Sequence, residues 1–230
     1  MAPTSDASAA PLTGRAVLVT GGSSGIGRAI AIAAAHGGAD VALTYRANEA
    51  GAREVERAIS ALGRRAHVAR LDLADVPSIR AVARSAGDAF GRIDAWINNA
   101  GADILTGPAE RLSTLEKLDL LMRVDLRGTM VASWEAAEML GAQNDGGVII
   151  NMSWDHVITG MAGTNPQLFA AVKGGVLAFS KALARTVAPR VRVNIIAPGW
   201  IETSFGAGVD ARIYKSVAES TPLKRLSCSG

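Results

Sequence analysis

Short apolar runs alternate with helical patterns along most of the chain. Six runs rich in Val, Ile, Leu and Ala predict strands, at residues 15–20, 41–45, 66–71, 93–98, 147–152 and 191–196. Between the runs, apolar residues recur every three or four positions, which predicts amphipathic helices. Strands that alternate with helices are typical of βαβ units, in which successive strands run parallel.

Turn and capping residues set the boundaries of the predicted helices. Gly37 and Gly38 end the first helix, and Asp75 caps a later helix that has Pro77 in its first turn. Further helices are predicted at residues 49–62, 115–140 and 167–187. With right-handed crossovers, these elements give an α/β fold, a Rossmann doubly wound parallel sheet with strand order 3-2-1-4-5-6.

The length fits one α/β domain. The chain has 230 residues, of which 49% are hydrophobic and 4% aromatic, with 25 glycines, as expected for helices packed closely on a parallel sheet. We expect residues 1–13 to be a flexible N-terminal tail and residues 14–230 to be a single dinucleotide-binding domain. The last residues, from Ser227 to Gly230, do not continue into a further helix, so an expected seventh strand is absent from the prediction.

Composition argues against several classes of protein. One cysteine, Cys228, and three scattered histidines predict neither a disulfide framework nor a metal site. A net charge of +3 without a dense basic tract does not favour nucleic-acid binding. The longest apolar stretch, residues 29–35, is too short to cross a membrane, and the N-terminus lacks the pattern of a secretory signal. We expect a cytoplasmic chain.

A glycine-rich turn joins the first strand to the first helix. It reads Thr20, Gly21, Gly22, Ser23, Ser24, Gly25, Ile26 and Gly27. In such a turn, backbone N–H groups and the positive end of the helix converge on one point, which suits a pyrophosphate. Glycines keep side chains out of the phosphate's approach and let the helix lie close to the sheet. The alternative is an ordinary turn, but the strand-turn-helix context favours a dinucleotide site.

Other segments occur in the order of a known family. Asp72 follows the third strand, Asn98-Asn99-Ala100-Gly101 ends the fourth, Lys173 lies in the last long helix, and Pro198-Gly199 with Thr203 follows the sixth strand. With the TGxxxGxG spacing of the turn, the chain resembles the short-chain dehydrogenase/reductase family from Gly14 onward. Within the family it resembles β-ketoacyl-carrier-protein reductase-like members.

The resemblance implies cofactor contacts along the strand ends. Asp72 and Leu73 would contact the adenine, and Asn99, Ala100 and Gly101 would support the central sheet and the adenosine ribose. Lys173 would bind the nicotinamide ribose. The nicotinamide itself would be held by Pro198, Gly199, Ile201 and Thr203. The alternative for Asp72 is a helix cap, and for the others plain turn residues.

The end of the second strand predicts the choice of cofactor. An acidic residue there would bind the ribose 2′-hydroxyl of NAD, but the chain has Tyr45 and Arg46. A guanidinium matches a phosphate, so we expect NADP rather than NAD. Asp40 precedes the strand and lies at the wrong edge of the sheet to serve as that acid. The alternative is that Arg46 is a solvated surface residue.

The predicted reaction centre departs from the family pattern. Similar enzymes donate a proton from a tyrosine four residues before the lysine, but here Phe169 precedes Lys173. Asp125 stands where the family has asparagine. The family's serine corresponds to Trp154 when counted forward from Asn151 and to His156 when counted back from Phe169. Ser153, next to Trp154, could supply the hydroxyl in a shifted register.

Two interpretations of these departures remain open. His156, assisted by Asp155 or Asp125, would supply a substitute acid, since imidazole titrates near neutrality. Alternatively, Asp155 and His156 are exposed loop residues, Trp154 fills the substrate cleft, and Asp125 pairs with Lys173. The candidate catalytic residues are therefore Lys173, Ser153, His156 and Asp125.

Two functions follow from these residues. The first is an NADP-dependent oxidoreductase that transfers a hydride between nicotinamide and a carbonyl or alcohol, with a non-standard proton relay. The second is a catalytically inactive NADP-binding pseudoenzyme that acts as a regulatory or structural subunit. Both predict a homo-oligomer, a dimer or tetramer, because the helix at residues 167–187 has apolar residues on more than one face. No metal, nucleic acid or membrane is expected as a partner.

Overall fold

A six-stranded parallel sheet forms the centre of the computed structural model. The model describes residues 10–202 and, beyond them, Lys215, Ala218, Glu219, Thr221, Lys224, Arg225, Ser227 and Cys228. The strands are β1 (Ala16–Val19), β2 (Asp40–Tyr45), β3 (Ala66–Arg70), β4 (Ala95–Asn98), β5 (Gly147–Met152) and β6 (Val191–Ile196). Their order is 3-2-1-4-5-6, and every pair is parallel, which confirms the predicted sheet.

The helices cover both faces of the sheet. They are α1 (Gly25–His36), α2 (Glu49–Ala61), α3 (Val76–Phe90), α4 (Thr114–Leu121), α5 (Thr129–Ala142), α6 (His156–Thr159) and α7 (Thr164–Val187), with a 3₁₀ turn at Gly107–Arg111. The predicted helix at residues 115–140 is not uniform. A π-helical segment, Met122–Gly128, separates α4 from α5 and contains Asp125.

Local capping explains where two helices begin. The Asp75 carboxylate accepts a hydrogen bond from the Ser78 N–H, at 3.1 Å, at the start of α3, as predicted. α4 begins with a capping box, in which Ser113 and Glu116 each bind the other's backbone N–H. These caps fix the entry of the helices that pack against the sheet.

The core divides between the two faces of the sheet, because successive residues of a strand point to opposite sides. From β1, Ala16 and Leu18 belong to one cluster, while Val17 and Val19 belong to the other. All four are buried, as expected for a parallel strand covered by helices on both faces.

A buried polar network ties the centre of the sheet to two helices. The Asn98 amide donates to Ser133 Oγ at 3.0 Å and to Asn151 Oδ1 at 2.8 Å. The Asn151 amide donates to Ser180 Oγ at 2.8 Å, and the Trp96 indole donates to Asn98 Oδ1 at 2.8 Å. The network joins β4 and β5 to α5 and α7, and hydrogen bonding offsets the cost of burying these groups.

The ends of the chain differ in part from the prediction. Residues 1–9 lie outside the described residues, but residues 10–13 form a turn in which the Leu12 N–H donates to the Gly37 carbonyl at 2.7 Å. Residues 10–13, predicted as part of a flexible tail, are therefore hydrogen-bonded to the end of α1. Beyond β6, a small parallel sheet pairs β7 (Ile201–Glu202) with β8 (Ser227–Cys228), which the sequence did not predict.

β3 forms one edge of the main sheet, and β6 forms the other. Within the residues that the structure describes, β5 is its one neighbour in the sheet, and no seventh strand pairs with it. Over the same residues, none of the helices combines the length and apolar composition needed to span a lipid bilayer.

Candidate cofactor and active site

One cavity of about 1490 Å³ runs along the carboxyl ends of the strands. This is the edge at which parallel α/β sheets bind ligands. The sequence-predicted residues that line it are Gly21, Ser23, Ser24, Gly25, Ile26, Tyr45, Arg46, Asn99, Ala100, Gly101, Asp125, Ser153, Lys173, Pro198, Gly199 and Ile201. Thr20, Gly27, Asp72, Leu73 and His156 are outside the lining, and Thr203 lies outside the described residues.

The glycine turn requires glycine at two positions, Gly27 for space and Gly21 for its backbone conformation. A Cβ on Gly27 would lie 2.2 Å from the Gly21 carbonyl oxygen and 2.5 Å from the Asn99 amide nitrogen. Gly21 has a φ of +68°, a conformation that favours glycine. The first hydrogen bond of α1 runs from the Arg28 N–H to the Ser24 carbonyl, so the N–H groups before Arg28 are outside the helix ladder. Such groups suit an anion.

Thr20 and Asn99 hold the turn against β4. The buried Thr20 hydroxyl accepts hydrogen bonds from the N–H groups of Asn99 and Ala100, both at 3.0 Å. The Asn99 amide donates to the carbonyls of Thr20 at 3.0 Å and Gly21 at 3.3 Å. Thr20, predicted as a cofactor contact, therefore supports the turn from behind.

The end of β2 forms the next part of the lining. The Thr44 hydroxyl accepts a hydrogen bond from the Gly21 N–H at 3.1 Å, a contact that the sequence analysis missed. Arg46 lines the cavity and is exposed. The pKa of the neighbouring Tyr45 phenol is raised, mainly by burial and in second place by the nearby Glu49 carboxylate. Asp40 lies at the opposite end of β2, where it pairs with Arg65 at 2.7 Å. As predicted, Asp40 is at the wrong edge to bind a ribose.

Asp72 and Leu73 follow β3 and come directly after Leu71, which lines the cavity. The Asp72 carboxylate accepts a hydrogen bond from the Ala74 N–H at 2.9 Å, which makes a local turn. Asp72 is therefore not the cap of α3, since Asp75 fills that position. Leu73 is buried and packs closely against Gly128 of the π-helical segment.

An ion pair is buried at the other end of the cavity. The Lys173 ammonium lies 3.0 Å from Asp125 Oδ2, and the two side chains are 7% and 1% exposed. Asp125 Oδ1 accepts a hydrogen bond from the Ala102 N–H at 2.8 Å. Ser153 donates its hydroxyl to the Lys173 carbonyl at 3.0 Å. The pairing of Asp125 with Lys173 was one of the two open interpretations, and the structure contains it.

Aromatic rings cover this ion pair. Phe169 and Trp154 both line the cavity, with ring centroids 5.4 Å apart in an edge-to-face arrangement. The Lys173 ammonium lies 5.3 Å from the centroid of Phe169. Of the two registers that the sequence left open, Trp154 is the residue that lines the cavity beside Phe169.

His156 begins the short helix α6 and is not part of the cavity lining. Its Nδ1 lies 3.2 Å from the Thr159 hydroxyl, and its Nε2 lies 3.9 Å from Asp155 Oδ1. Its ring contacts Trp154 with centroids 4.9 Å apart. The structure therefore does not bring His156 together with Lys173 and Phe169 at the cavity.

Asn165 is a further lining residue that the sequence did not predict. It lines the cavity from the first turn of α7, four residues before Phe169 and eight before Lys173. Helical spacing places these three residues on one face, so periodicity counted back from Lys173 would have found it.

Comparisons with known proteins identify the family. The family model described as enoyl-(acyl carrier protein) reductase matches residues 21–229. A crystal structure of a short-chain dehydrogenase from Burkholderia cenocepacia J2315, in complex with NADP, has 35% identity and a TM-score of 0.83 and covers 95% of this chain and 87% of that one. The chain belongs to the short-chain dehydrogenase/reductase family of oxidoreductases.

Other short-chain dehydrogenase/reductase members act on different alcohols. The chain is 36% identical over 197 residues to 3beta-hydroxysteroid dehydrogenase 1 of Eggerthella lenta. These residues make up 85% of this chain and 74% of the relative. The chain is 32% identical over 218 residues to L-rhamnose 1-dehydrogenase (NAD(P)(+)) of a Sphingomonas species, with 94% and 84% covered. The family assignment therefore fixes the type of enzyme and leaves its substrate open.

Proposed function

We propose that the chain binds NADP(H) and transfers a hydride between its nicotinamide and a small-molecule carbonyl or alcohol, through a proton relay without a tyrosine. The observation that carries this proposal is that one continuous cavity runs from the glycine turn to Lys173. Its volume of about 1490 Å³ suits a dinucleotide with a substrate beside it. A solved relative of the family is an NADP complex, which supports the choice of cofactor.

The residues at the glycine turn fit a bound pyrophosphate. A Cβ at Gly27 would close the turn, and the N–H groups of Gly25 and Ile26 lie in the first turn of α1 beside the cavity. Arg46 would bind the 2′-phosphate of NADP with its guanidinium. Asp72 and Leu73 would contact the adenine, and Asn99, Ala100 and Gly101 the adenosine ribose.

The nicotinamide half would lie against Lys173 and the loop after β6. Pro198, Gly199 and Ile201 line this part of the cavity, and Thr203 is proposed to complete it. NADPH supplies a hydride when bound, and the substrate oxygen then takes up negative charge. Lys173 is a cavity-lining cation at this end, and Asp125 holds it in place through the 3.0 Å contact. We assign to Lys173 the stabilisation and protonation of that oxygen.

The other candidate catalytic residues have supporting parts in this proposal. Ser153 orients α7 through its hydrogen bond to the Lys173 carbonyl. His156 would act only through a movement of α6, since it is outside the cavity lining. Loss of native turnover in His156→Ala would therefore favour His156 as the acid over Lys173.

Calorimetric titration tests the cofactor assignment. We expect the purified chain to bind NADPH more tightly than NADH, and Arg46→Ala to weaken NADPH about tenfold while leaving NADH unchanged, because one charge-assisted phosphate contact is lost. The matched control is Arg57→Ala, an exposed arginine of α2 outside the cavity lining. Absence of heat with both nucleotides would contradict the assignment.

A second candidate function is an NADP-binding pseudoenzyme that serves as a regulatory or structural subunit. The packing of Phe169 on Trp154, beside a neutralised ion pair, favours it. Tight NADPH binding with no carbonyl-dependent loss of NADPH absorbance, over a broad substrate panel, would support the pseudoenzyme. Native turnover that Lys173→Met abolishes would support the oxidoreductase.

Both candidates include self-association of the chain as a dimer or tetramer. Trp134 of α5 is 50% exposed and contacts Phe179 of α7 edge to face, so a partly exposed aromatic pair lies where these two helices meet. We expect sedimentation to give a mass above one chain, and Trp134→Glu to lower it. A monomeric wild-type chain at micromolar concentration would contradict this expectation.

A further inference from the structure

A buried lysine lies behind the wall of the cavity. Lys117, on α4, is 9% exposed. Its ammonium has one side-chain partner among the described residues, Asn165 Oδ1 at 3.5 Å, and no described carboxylate lies within 4 Å of it. Buried lysines are ordinarily paired with a carboxylate. The positive charge of Lys117 is therefore uncompensated within this part of the chain.

Lys117 determines how the Asn165 amide is oriented. An ammonium only donates hydrogen bonds, so it is the amide oxygen that faces Lys117. The amide NH₂ group then points away from Lys117, and Asn165 lines the cavity. A half-buried amide donor is therefore available to an acceptor within the cavity.

We propose that Asn165 and Lys117 form a binding site for a carboxylate of the substrate, an inference that rests on the function proposed above. Asn165 donates to the carboxylate, and Lys117 acts through Asn165 as a positioning residue and as a source of positive charge. Because that charge is buried and uncompensated, an anionic acceptor binds more favourably than a neutral one. Glu110 also lines the cavity, but it is exposed, so solvent screens its charge.

Helix geometry limits the shape of the substrate. Asn165 precedes Lys173 by eight residues on α7, which corresponds to about 12 Å along the helix axis. The carboxylate and the reacting oxygen are therefore separated by several carbon atoms, unlike those of a 2-oxo acid. Phe169 and Trp154 line the space between them, which suits an apolar ring or chain.

A matched pair of probes tests this site on the NADP⁺-bound chain. The probes are 4-phenylbutanoate and its neutral amide, 4-phenylbutanamide, and the measurement is the dissociation constant of each by ligand NMR titration. The wild-type chain should bind the carboxylate about tenfold more tightly than the amide, as expected for one charge-assisted hydrogen bond. Lys117→Met and Asn165→Leu should each abolish that preference.

Two further variants separate recognition from folding. Asn165→Asp gives Lys117 a carboxylate partner within the fold, so it should keep the thermal midpoint while losing the preference for the carboxylate probe. Lys181→Met removes an exposed lysine from the same helix and should leave the preference unchanged. Equal binding of the two probes to the wild-type chain, or binding of neither, overturns the carboxylate site. Failure to bind NADP⁺ in a separate titration would instead contradict the proposed function.

Discussion

The buried ion pair between Asp125 and Lys173 predicts a large effect of a small substitution. Asp125→Asn keeps the shape of the side chain and removes its charge. If the asparagine oxygen keeps the hydrogen bond from the Ala102 N–H, its NH₂ group faces the Lys173 ammonium at about 3 Å, so two donors oppose each other. Turning the amide over only transfers the conflict to Ala102.

The structure gives the size of this effect. Both side chains are almost fully buried, so removal of one partner leaves an uncompensated buried charge, which costs about 3–5 kcal/mol. Lys173→Met should cost a similar amount, because Asp125 then loses its partner. The double variant should lose less than the sum of the two single variants, since no buried charge remains.

Urea unfolding of the cofactor-free chain, followed by circular dichroism, measures these free energies. Glu49→Gln is the matched control, because Glu49 pairs with Arg53 at 3.3 Å but is 54% exposed, and its loss should cost less than about 0.5 kcal/mol. If Asp125→Asn lowered the free energy of unfolding by no more than the Glu49→Gln control, the two residues would not form a buried pair. Additive losses in the double variant would show that they are not coupled.

Three further predictions concern the glycine turn, Asp94 directly before β4, and the reaction centre. Gly27→Ala brings a Cβ to 2.2 Å from the Gly21 oxygen, so calorimetry should find NADPH affinity reduced at least about tenfold. Burial raises the pKa of the Asp94 carboxyl. Hydrogen bonds from Arg92, the Ala16 N–H and Arg15 outweigh burial and lower that pKa overall. The carboxylate therefore stabilises the fold above its unfolded pKa and loses that contribution as pH falls through the lowered folded value. In urea titrations, Asp94→Asn should cost about 1–3 kcal/mol at neutral pH, and the difference should shrink below about pH 3.9. Phe169→Tyr should raise kcat roughly 10²-fold with unchanged NADPH affinity, and an unchanged kcat would argue that the missing phenol is not limiting.

The fold followed from the sequence because its signals are local. Alternating runs of apolar residues gave the strands, and caps such as Asp75 gave helix ends, since both depend on residues within one or two turns. The carboxyl ends of parallel strands then meet at one edge, so the glycine turn and Arg46 were expected at one cavity.

The features that the sequence did not reveal depend on contacts between distant segments. Lys117 and Asn165 are 48 residues apart, and nothing in either local pattern predicts that they meet. The register of Trp154 beside Phe169 depends on how the loop before α7 folds, which counting from either side could not decide. His156 was one of two open interpretations and was considered for its chemistry alone, and chemistry does not determine whether a side chain reaches the cavity.

The π-helical segment at Met122–Gly128 has a consequence for changes in chain length. A π turn holds one residue more than an α turn, so it sets the rotational phase of α5 relative to α4. Asp125 is fixed on one side by Lys173, and Ser133 is fixed on the other by Asn98. Deletion of one residue would convert the segment to regular α-helix and turn one of these side chains away by about 100°. At this position, the number of residues is constrained as strictly as their identity.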